Sequence, residues 1–216
     1  MISGAYRVSQ QCPIRGHMTV SRSTGLSNLN SVTWFSLGAD TSISRESYDR
    51  LVLYIGDFGH AEFLIGDRGR RTILEPGSLL VVHGGTLCGV ECKTGAVYTE
   101  IITKKELNMN DIVKSGKAVH LKELISYEAN SIANLDIAKN DTMKFALMAF
   151  AEGTCLQPHR APGPAIVTVL EGSAVISYEG SDYHVSAGDS FRFDKNGLHS
   201  VTADGPFKMS LLLVLE

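Results

Sequence analysis

The chain is short of almost everything that would place it in a special class. It has one tryptophan, six prolines and four cysteines in 216 residues. Its longest apolar runs, residues 145–151 and 211–215, fall far below the roughly 20 residues a membrane-spanning helix needs. Neither sign of charge is in excess: 20 Lys and Arg stand against 23 Asp and Glu, a net charge of −3, with the basic residues spread along the chain. No cationic face for phosphates follows from that distribution, so no nucleic-acid partner is expected. Residues 1–7 lack the apolar core and cleavage site of a secretory leader, and a cytoplasmic protein with no membrane partner is expected. Cys12, Cys88, Cys92 and Cys155 are irregularly spaced, and no second pair completes a zinc site with Cys88 and Cys92. Free, mostly buried thiols are the expectation. No glycine-rich phosphate loop precedes a helix and no Gly-x-Ser-x-Gly occurs, which removes the best signals for nucleotide binding and for a serine hydrolase. No helix-turn-helix segment is visible either.

What is present is a packed β protein. The apolar fraction of 44% against 20% charged residues is that of an ordinary folded chain, and 21 glycines supply many turns. From Val32 to Ile102 short runs rich in β-branched and aromatic residues alternate with turns: residues 32–35, 51–55, 61–65, 79–82 and 97–102. Residues 104–140 are polar and lack this texture, with a short helix predicted over Leu121–Tyr127 from the spacing of Leu121, Leu124 and Ile125. Strand-length runs return at 145–151, 166–170, 174–178, 183–185, 190–193 and 207–214. At 216 residues the chain is long for one domain and marginal for two. An internal duplication reconciles these facts. Gly38 and Gly77 pair with Gly153 and Gly188, and residues 66–71 absorb the four-residue difference in spacing.

The most informative stretches are Gly153 to Gly172, containing His159, and Gly188 to His199. Their spacing resembles the two motifs of the cupin superfamily, in which three histidines and a glutamate from these segments hold a metal ion. Gly153, His159, Gly172, Gly188 and His199 match. Ala161 stands in place of the second histidine, Ala165 in place of the glutamate, and Asp194-Lys195-Asn196 in place of Pro-x-Gly, with Gly197 one position late.

The resemblance implies an all-β fold: two cupin-type jelly-roll β-barrels in tandem, with a degenerate barrel over 1–103, a polar, partly helical connector over 104–140, and a second barrel over 141–216 that carries the candidate site. It further implies a small-molecule ligand in the second lumen, a divalent transition metal (Fe, Mn, Ni or Zn) among the family's cofactors, and a homodimer. Two surviving ligands fall short of the three protein ligands of a usual catalytic metal site. Period-two alternation places Gln157 and Cys155 beside His159, so a metal on His159, His199 and Gln157, a softer site using Cys155, and two histidines bonded directly to an organic ligand all stay open. Ala161 and Ala165 enlarge the lumen, which suits a partly apolar ligand. Phe191 and Phe193 are expected to point inward and Arg192 outward, the aromatics either lining a ligand or simply filling the barrel. Three functions stay open: a binding or sensing protein, a metal-dependent oxygenase or isomerase with a reduced ligand set, or, if the lumen is filled, a structural or oligomerisation role without ligand.

In the first half the motif positions become Ser44, Glu46 and Cys88, with Arg50 in the glutamate's place and Gly85 keeping a turn glycine after His83. Glu46, Tyr48 and Arg50 could line a polar pocket, but a solvated strand over residues 45–50 is the preferred reading, and this half is expected to be structural. The remaining histidines, 17, 60, 83, 120 and 184, have no partner at metal-ligand spacing.

Overall fold

Along the strand Ala61–Ile65, Ala61, Phe63 and Ile65 are buried while Glu62 and Leu64 are half-buried, as expected of a strand with one face on a core. The computed structural model describes residues 4–216 and builds such strands into two units. One comprises Val8–Leu107 and Asp111–His120; the other comprises Leu121–Glu216, Asn108–Asn110 and the described residues up to Arg7.

The N-terminal unit opens on one helical turn, α1 (Val8–Gln11), followed by β1 (Thr19–Ser23), β2 (Ser31–Leu37), β3 (Thr41–Glu46), β4 (Val52–Gly59), β5 (Ala61–Ile65), β6 (Arg70–Leu74), β7 (Ser78–Val82), β8 (Cys88–Cys92) and β9 (Ala96–Ile102). The short β10 (Asn108–Met109) pairs within the C-terminal unit, whereas β11 (Val119–His120) pairs with β7. A six-stranded sheet, β1-β2-β9-β4-β7-β11, and a four-stranded sheet, β3-β8-β5-β6, enclose one core. Tyr54, Leu80 and Tyr98 from the first sheet meet Phe63, Leu74 and Val90 from the second. This is a jelly-roll barrel closed by antiparallel pairing.

The C-terminal unit repeats the plan with β12 (Ile132–Lys139), β13 (Met143–Phe150), β14 (Cys155–Arg160), β15 (Ala165–Glu171), β16 (Ser173–Tyr178), β17 (Ser181–Ser186), β18 (Ser190–Phe193), β19 (Leu198–Ala203) and β20 (Phe207–Val214). Its sheets run β10-β12-β13-β20-β15-β18 and β14-β19-β16-β17. Phe150, Val167 and Phe191 pack against Ile176, Val185 and Val201 in its core.

Strand register fixes the internal repeat residue by residue. Glu46 faces Cys88 as His159 faces His199, Phe35 faces Tyr98 as Met148 faces Met209, and Val52 faces Ile102 as Ala165 faces Leu213. Equivalent residues lie 113 positions apart before the β5–β6 turn (Phe63 and Ile176) and 111 apart after it (Thr72 and Tyr183). The duplication read from glycines is therefore shifted by two residues at its start. Gly153, with φ 73°, matches Asp40, with φ 55°, and not Gly38. Gly38 has a separate cause: a Cβ there would lie 2.2 Å from the carbonyl oxygen of Arg15.

The connector expected over 104–140 is not a separate segment. Residues 132–139 form β12, whose full length pairs with β13 across a bulge between Asp136 and Ala138, so the C-terminal unit starts well before residue 141. Asn134 and Lys139 are exposed on β12, which explains its polar look. The helix predicted at Leu121–Tyr127 shrinks to the 3-10 turn Leu121–Glu123. The Lys208 ammonium donates to the Lys122 carbonyl at 2.8 Å and lies 4.7 Å from the Tyr127 ring centroid, and Tyr127 donates to Glu171 at 2.8 Å. These contacts fix an irregular path, and a segment this short cannot offset helix nucleation on its own. Among the described residues no helix is long and apolar enough to cross a membrane.

Candidate functional site

A bulge decides what lines the C-terminal lumen. Leu156 faces Val201 and His159 faces His199, so β14 spends three residues where β19 spends two. The extra residue reverses the alternation on β14. Leu156 accompanies His159 on the pocket wall, while Gln157 and Cys155 do not line it. The Gln157 amide instead donates to the Cys155 sulfur at 2.8 Å. The expectation that Gln157 and Cys155 share the side of His159 fails for this reason: simple period-two counting does not hold across a bulge.

The two histidines are held in matching states. Nδ1 of His159 lies 2.8 Å from the Gln157 carbonyl oxygen and Nδ1 of His199 lies 2.9 Å from that of Gly197. A carbonyl only accepts, so each Nδ1 carries the proton and each neutral ring keeps Nε2 as an acceptor. The ring centroids are 4.3 Å apart, and Phe193 stacks on His199 at 4.1 Å with a 24° interplanar angle. His199 is buried and His159 exposed at the mouth. Burial chiefly, helped by the charge of a protonated His159, holds His199 below the usual histidine pKa, against the opposing Gly197 bond. Neutral His199 is thus the working form near pH 7.

Behind the histidines lies a pocket of about 130 Å³, walled by Val167, Phe193, Met209, Leu211 and Leu213 with Ala161 and Ala165. Both alanines are buried, as are Phe191 and Phe193, and Arg192 is half-buried beside Asp194 at 3.6 Å. Phe193 does line the pocket. Phe191 does not, and packs between Tyr178 and Tyr183 at centroid distances of 5.5 and 5.0 Å, where it fills the barrel.

The turn that carries His199 explains the departures from the Pro-x-Gly pattern. Asn196, standing where the pattern has glycine, itself adopts φ 63°, a left-handed conformation that asparagine tolerates better than most side chains. Its amide donates to the Ala161 carbonyl at 3.0 Å. Gly197 serves a different need: a Cβ there would sit 2.5 Å from Cε2 of Tyr178. Tyr178 can therefore lie across the turn and accept the Asp194 amide at 3.2 Å.

The donor set does not fit a resident transition metal. Two imidazoles converge, but methyl groups of Ala161 and Ala165 occupy the remaining family positions, and the Gln157 amide is turned to Cys155. Among the described residues no group of three or more His, Cys, Asp or Glu side chains could hold a metal ion. A catalytic site normally has three protein ligands and an open position. All four cysteines are free; Cys12, Cys88 and Cys92 are buried, and Cys155 is half-buried.

The N-terminal lumen is not the featureless packing expected of it. Register puts Glu46, not Ser44, in the place of His159, and Cys88 in the place of His199. Glu46, Tyr48, Tyr54, Cys88 and Glu100 all border a second pocket, whereas Arg50 does not. Glu100, only 7% exposed, lies close to the Tyr54 and Tyr48 hydroxyls, whose influence on its carboxyl opposes that of burial. Burial pushes its carboxyl up to about 7. Sequence reading missed Glu100 because it sits within the apolar run 97–102; its inward phase with Tyr98 was the available signal. Elsewhere in this unit His120 bonds the Ser78 hydroxyl at 2.9 Å and Glu75 at 3.2 Å. Ser78 is 2% exposed and out of a substrate's reach.

Two jelly rolls, each enclosing a lumen lined at the same register positions, define a tandem β-barrel of the type whose functional groups face inward. Residues 146–215 match the family model described as Cupin domain (Cupin_2). Residues 146–215 are thus a cupin domain. Among solved structures it is similar to a cupin 2 conserved barrel domain protein from Leptotrichia buccalis, with a TM-score of 0.86 and 24% identity over 99% of this chain and 97% of the other. It is also similar to salicylate 1,2-dioxygenase from Pseudoaminobacter salicylatoxidans, solved with gentisate adducts, with a TM-score of 0.69 and 12% identity over 97% of this chain and 80% of the other. Likeness at these identities speaks for the fold alone. No curated protein matches the chain.

Proposed function

We propose that the C-terminal barrel binds a small, largely apolar molecule that carries a hydroxyl group, without a resident metal. One observation carries this reading: two imidazoles 4.3 Å apart, each with Nδ1 engaged by a backbone carbonyl and Nε2 left as the acceptor, line a pocket of about 130 Å³ that is otherwise apolar but for Arg160, whose guanidinium donates to the Asn196 carbonyl. That volume approaches the roughly 150 Å³ of a cavity that takes up benzene, so a phenol-sized body is the scale that fits. Burying about 200 Å² of apolar ligand surface contributes on the order of 5 kcal/mol before ordering costs. A hydroxyl donated to an imidazole adds about 1 kcal/mol and fixes orientation. Gentisate, present in structures of a fold relative, is an aromatic hydroxy compound and supports the choice of probe.

The test compares phenol with toluene, which has the same body and no donor, by following the imidazole resonances during titration. Phenol should bind at least fivefold more tightly, and His159→Ala and His199→Ala should abolish the difference. Equal affinities for phenol and toluene would overturn the reading. So would stoichiometric iron, manganese, nickel or zinc in protein purified without chelators, lost in both variants.

A further inference from the structure

The second lumen has a chemistry opposite to the first. Its pocket, about 40 Å³, is bordered by Glu46 on β3, Tyr48 in the β3–β4 loop, Tyr54 on β4, Cys88 on β8 and Tyr98 and Glu100 on β9, with Phe35 and Phe63. Every ionisable group on this wall is neutral or anionic, and no Lys, Arg or His lines it. The rings form a continuous aromatic surface: Phe35 stacks on Tyr98 at 5.3 Å, and Tyr54, Phe63 and Tyr98 lie 4.6 to 5.9 Å from one another. Glu100 is set into it beside the Tyr54 and Tyr48 hydroxyls. A carboxylate offers about four acceptor sites, so acceptor capacity is left on the cavity side.

The fold does not require this acid. The positions of Glu100, Tyr98, Tyr54 and Tyr48 are held in the C-terminal barrel by Leu211, Met209, Val167 and Ala161, as the shared register shows. Burying a carboxyl group costs several kcal/mol unless something compensates it. An apolar solution exists in the same architecture, and Tyr54 and Tyr48 offset burial only in part, since the carboxyl stays raised to about 7, so the remaining compensation is to be sought in a ligand.

We infer that the N-terminal barrel is a second binding site, for a small organic cation of the protonated primary amine class, held between the Glu100 carboxylate and the aromatic faces of Phe35, Tyr54 and Tyr98. An ammonium donates to the carboxylate and is attracted to the ring faces. An anion would meet only acids and phenols. Size sets the scale: one water needs roughly 10–15 Å³, so the pocket accepts two or three heavy atoms. A metal ion is the poorer match, since Glu46, Cys88 and Glu100 do not group as metal ligands. The affinity should rise with pH through about 7 as Glu100 ionises. The groups facing it are Glu46, Cys88, Tyr48, Tyr54 and Tyr98, of which the thiol is pushed to about 11 and the Tyr48 phenol to about 12, with Tyr54 and Tyr98 raised further by burial.

The test uses the full chain with methylammonium chloride as probe, sodium acetate as the anionic control, and zinc and manganese chloride as metal controls, at pH 8. Saturable resonance shifts with a Kd of about 10 mM or tighter are expected. Glu100→Gln should weaken them at least tenfold and Tyr48→Phe several-fold. His159→Ala and His199→Ala should leave them unchanged, so failure here is separable from failure of the C-terminal reading. The inference is overturned by no saturation at about 50 mM methylammonium, by acetate binding as well as the amine, or by a metal salt saturating the same resonances and displacing it. Unchanged amine affinity in Glu100→Gln overturns it equally, and Tyr48→Phe decides the matter if that variant does not fold.

Discussion

Glu46 and Cys88 are register partners across β3 and β8 in the place that His159 and His199 hold across β14 and β19. Both pairs follow a bulge that spends one extra residue on the first strand. The bulge is what turns these side chains onto the lumen, so it is the common device, and the residues presented on it are what differ. One barrel offers two imidazoles to a largely apolar pocket. The other offers carboxyl, thiol and phenol groups to an aromatic one.

If two imidazoles are too few for a metal, a third should suffice. Ala161 is 8% exposed and lines the pocket with His159 and His199. Ala161→His is expected to bind zinc at least tenfold more tightly than the parent, measured by competition with a chromogenic chelator. His159→Ala in the same background should remove the gain. Parent protein that already binds zinc as tightly as the variant would contradict the donor count.

Gly197 should tolerate no side chain. Its added Cβ would meet Tyr178 at 2.5 to 3.0 Å, so Tyr178 must leave the turn and the Gly197 carbonyl must shift from His199. Gly197→Ala is expected to cost about 1–3 kcal/mol in denaturant unfolding, the range of overpacking substitutions, and to move the His199 resonances. Tyr178→Ala should relieve most of that clash; a double mutant no better than Gly197→Ala would refute the account.

The C-terminal barrel was legible because its spacing signals survive in Gly153, His159, Gly172, Gly188 and His199, and because its strands are apolar runs. Polar strands were legible only in part: β3, with four of six residues exposed, and β12 gave no alternation from which to set their bounds. Gln157 misled because a bulge leaves no mark in composition; only the pairing of Leu156 with Val201 and of His159 with His199 reveals it. The first half looked empty because metal ligands were sought at fixed spacings. Its polar groups come instead from β3, β4, β8 and β9, brought together by closure of the barrel.

His199 should make the C-terminal site pH-sensitive. Its pKa is lowered in the folded chain, mainly by burial, so below about 6.5 the unfolded chain takes up a proton that the folded chain resists. The associated stability is present above that pH and is lost as pH falls toward the folded value. The stability of wild type relative to His199→Gln should fall between pH 7 and pH 5, measured by urea unfolding of both proteins. Phenol affinity should fall over the same range as Nε2 gains a proton. Parallel pH profiles for the two proteins would show that His199 titrates as an exposed histidine does.

Glu100 has the opposite sign. Burial raises its carboxyl from 4.5 to about 7 in the folded chain, with Tyr54 and Tyr48 opposing the rise. Between those values the unfolded chain is ionised while the folded chain still holds the proton, so stability is greatest below about 4.5 and declines as pH rises to about 7. At about 1.4 kcal/mol per pH unit the loss approaches 3 kcal/mol. Asp57, raised by burial to about 7 against its bond to Thr99, acts in the same direction. Glu100→Gln keeps an acceptor for the phenols and cannot ionise. It should therefore gain stability relative to wild type from pH 5 to pH 8, by roughly half of the wild-type decline when Asp57 supplies the other half. Adding Asp57→Asn should flatten the remainder. A stability difference between Glu100→Gln and wild type that stays constant across this range would mean that Glu100 ionises as it does in water, and would leave its place inside the barrel without the energetic consequence that burial demands.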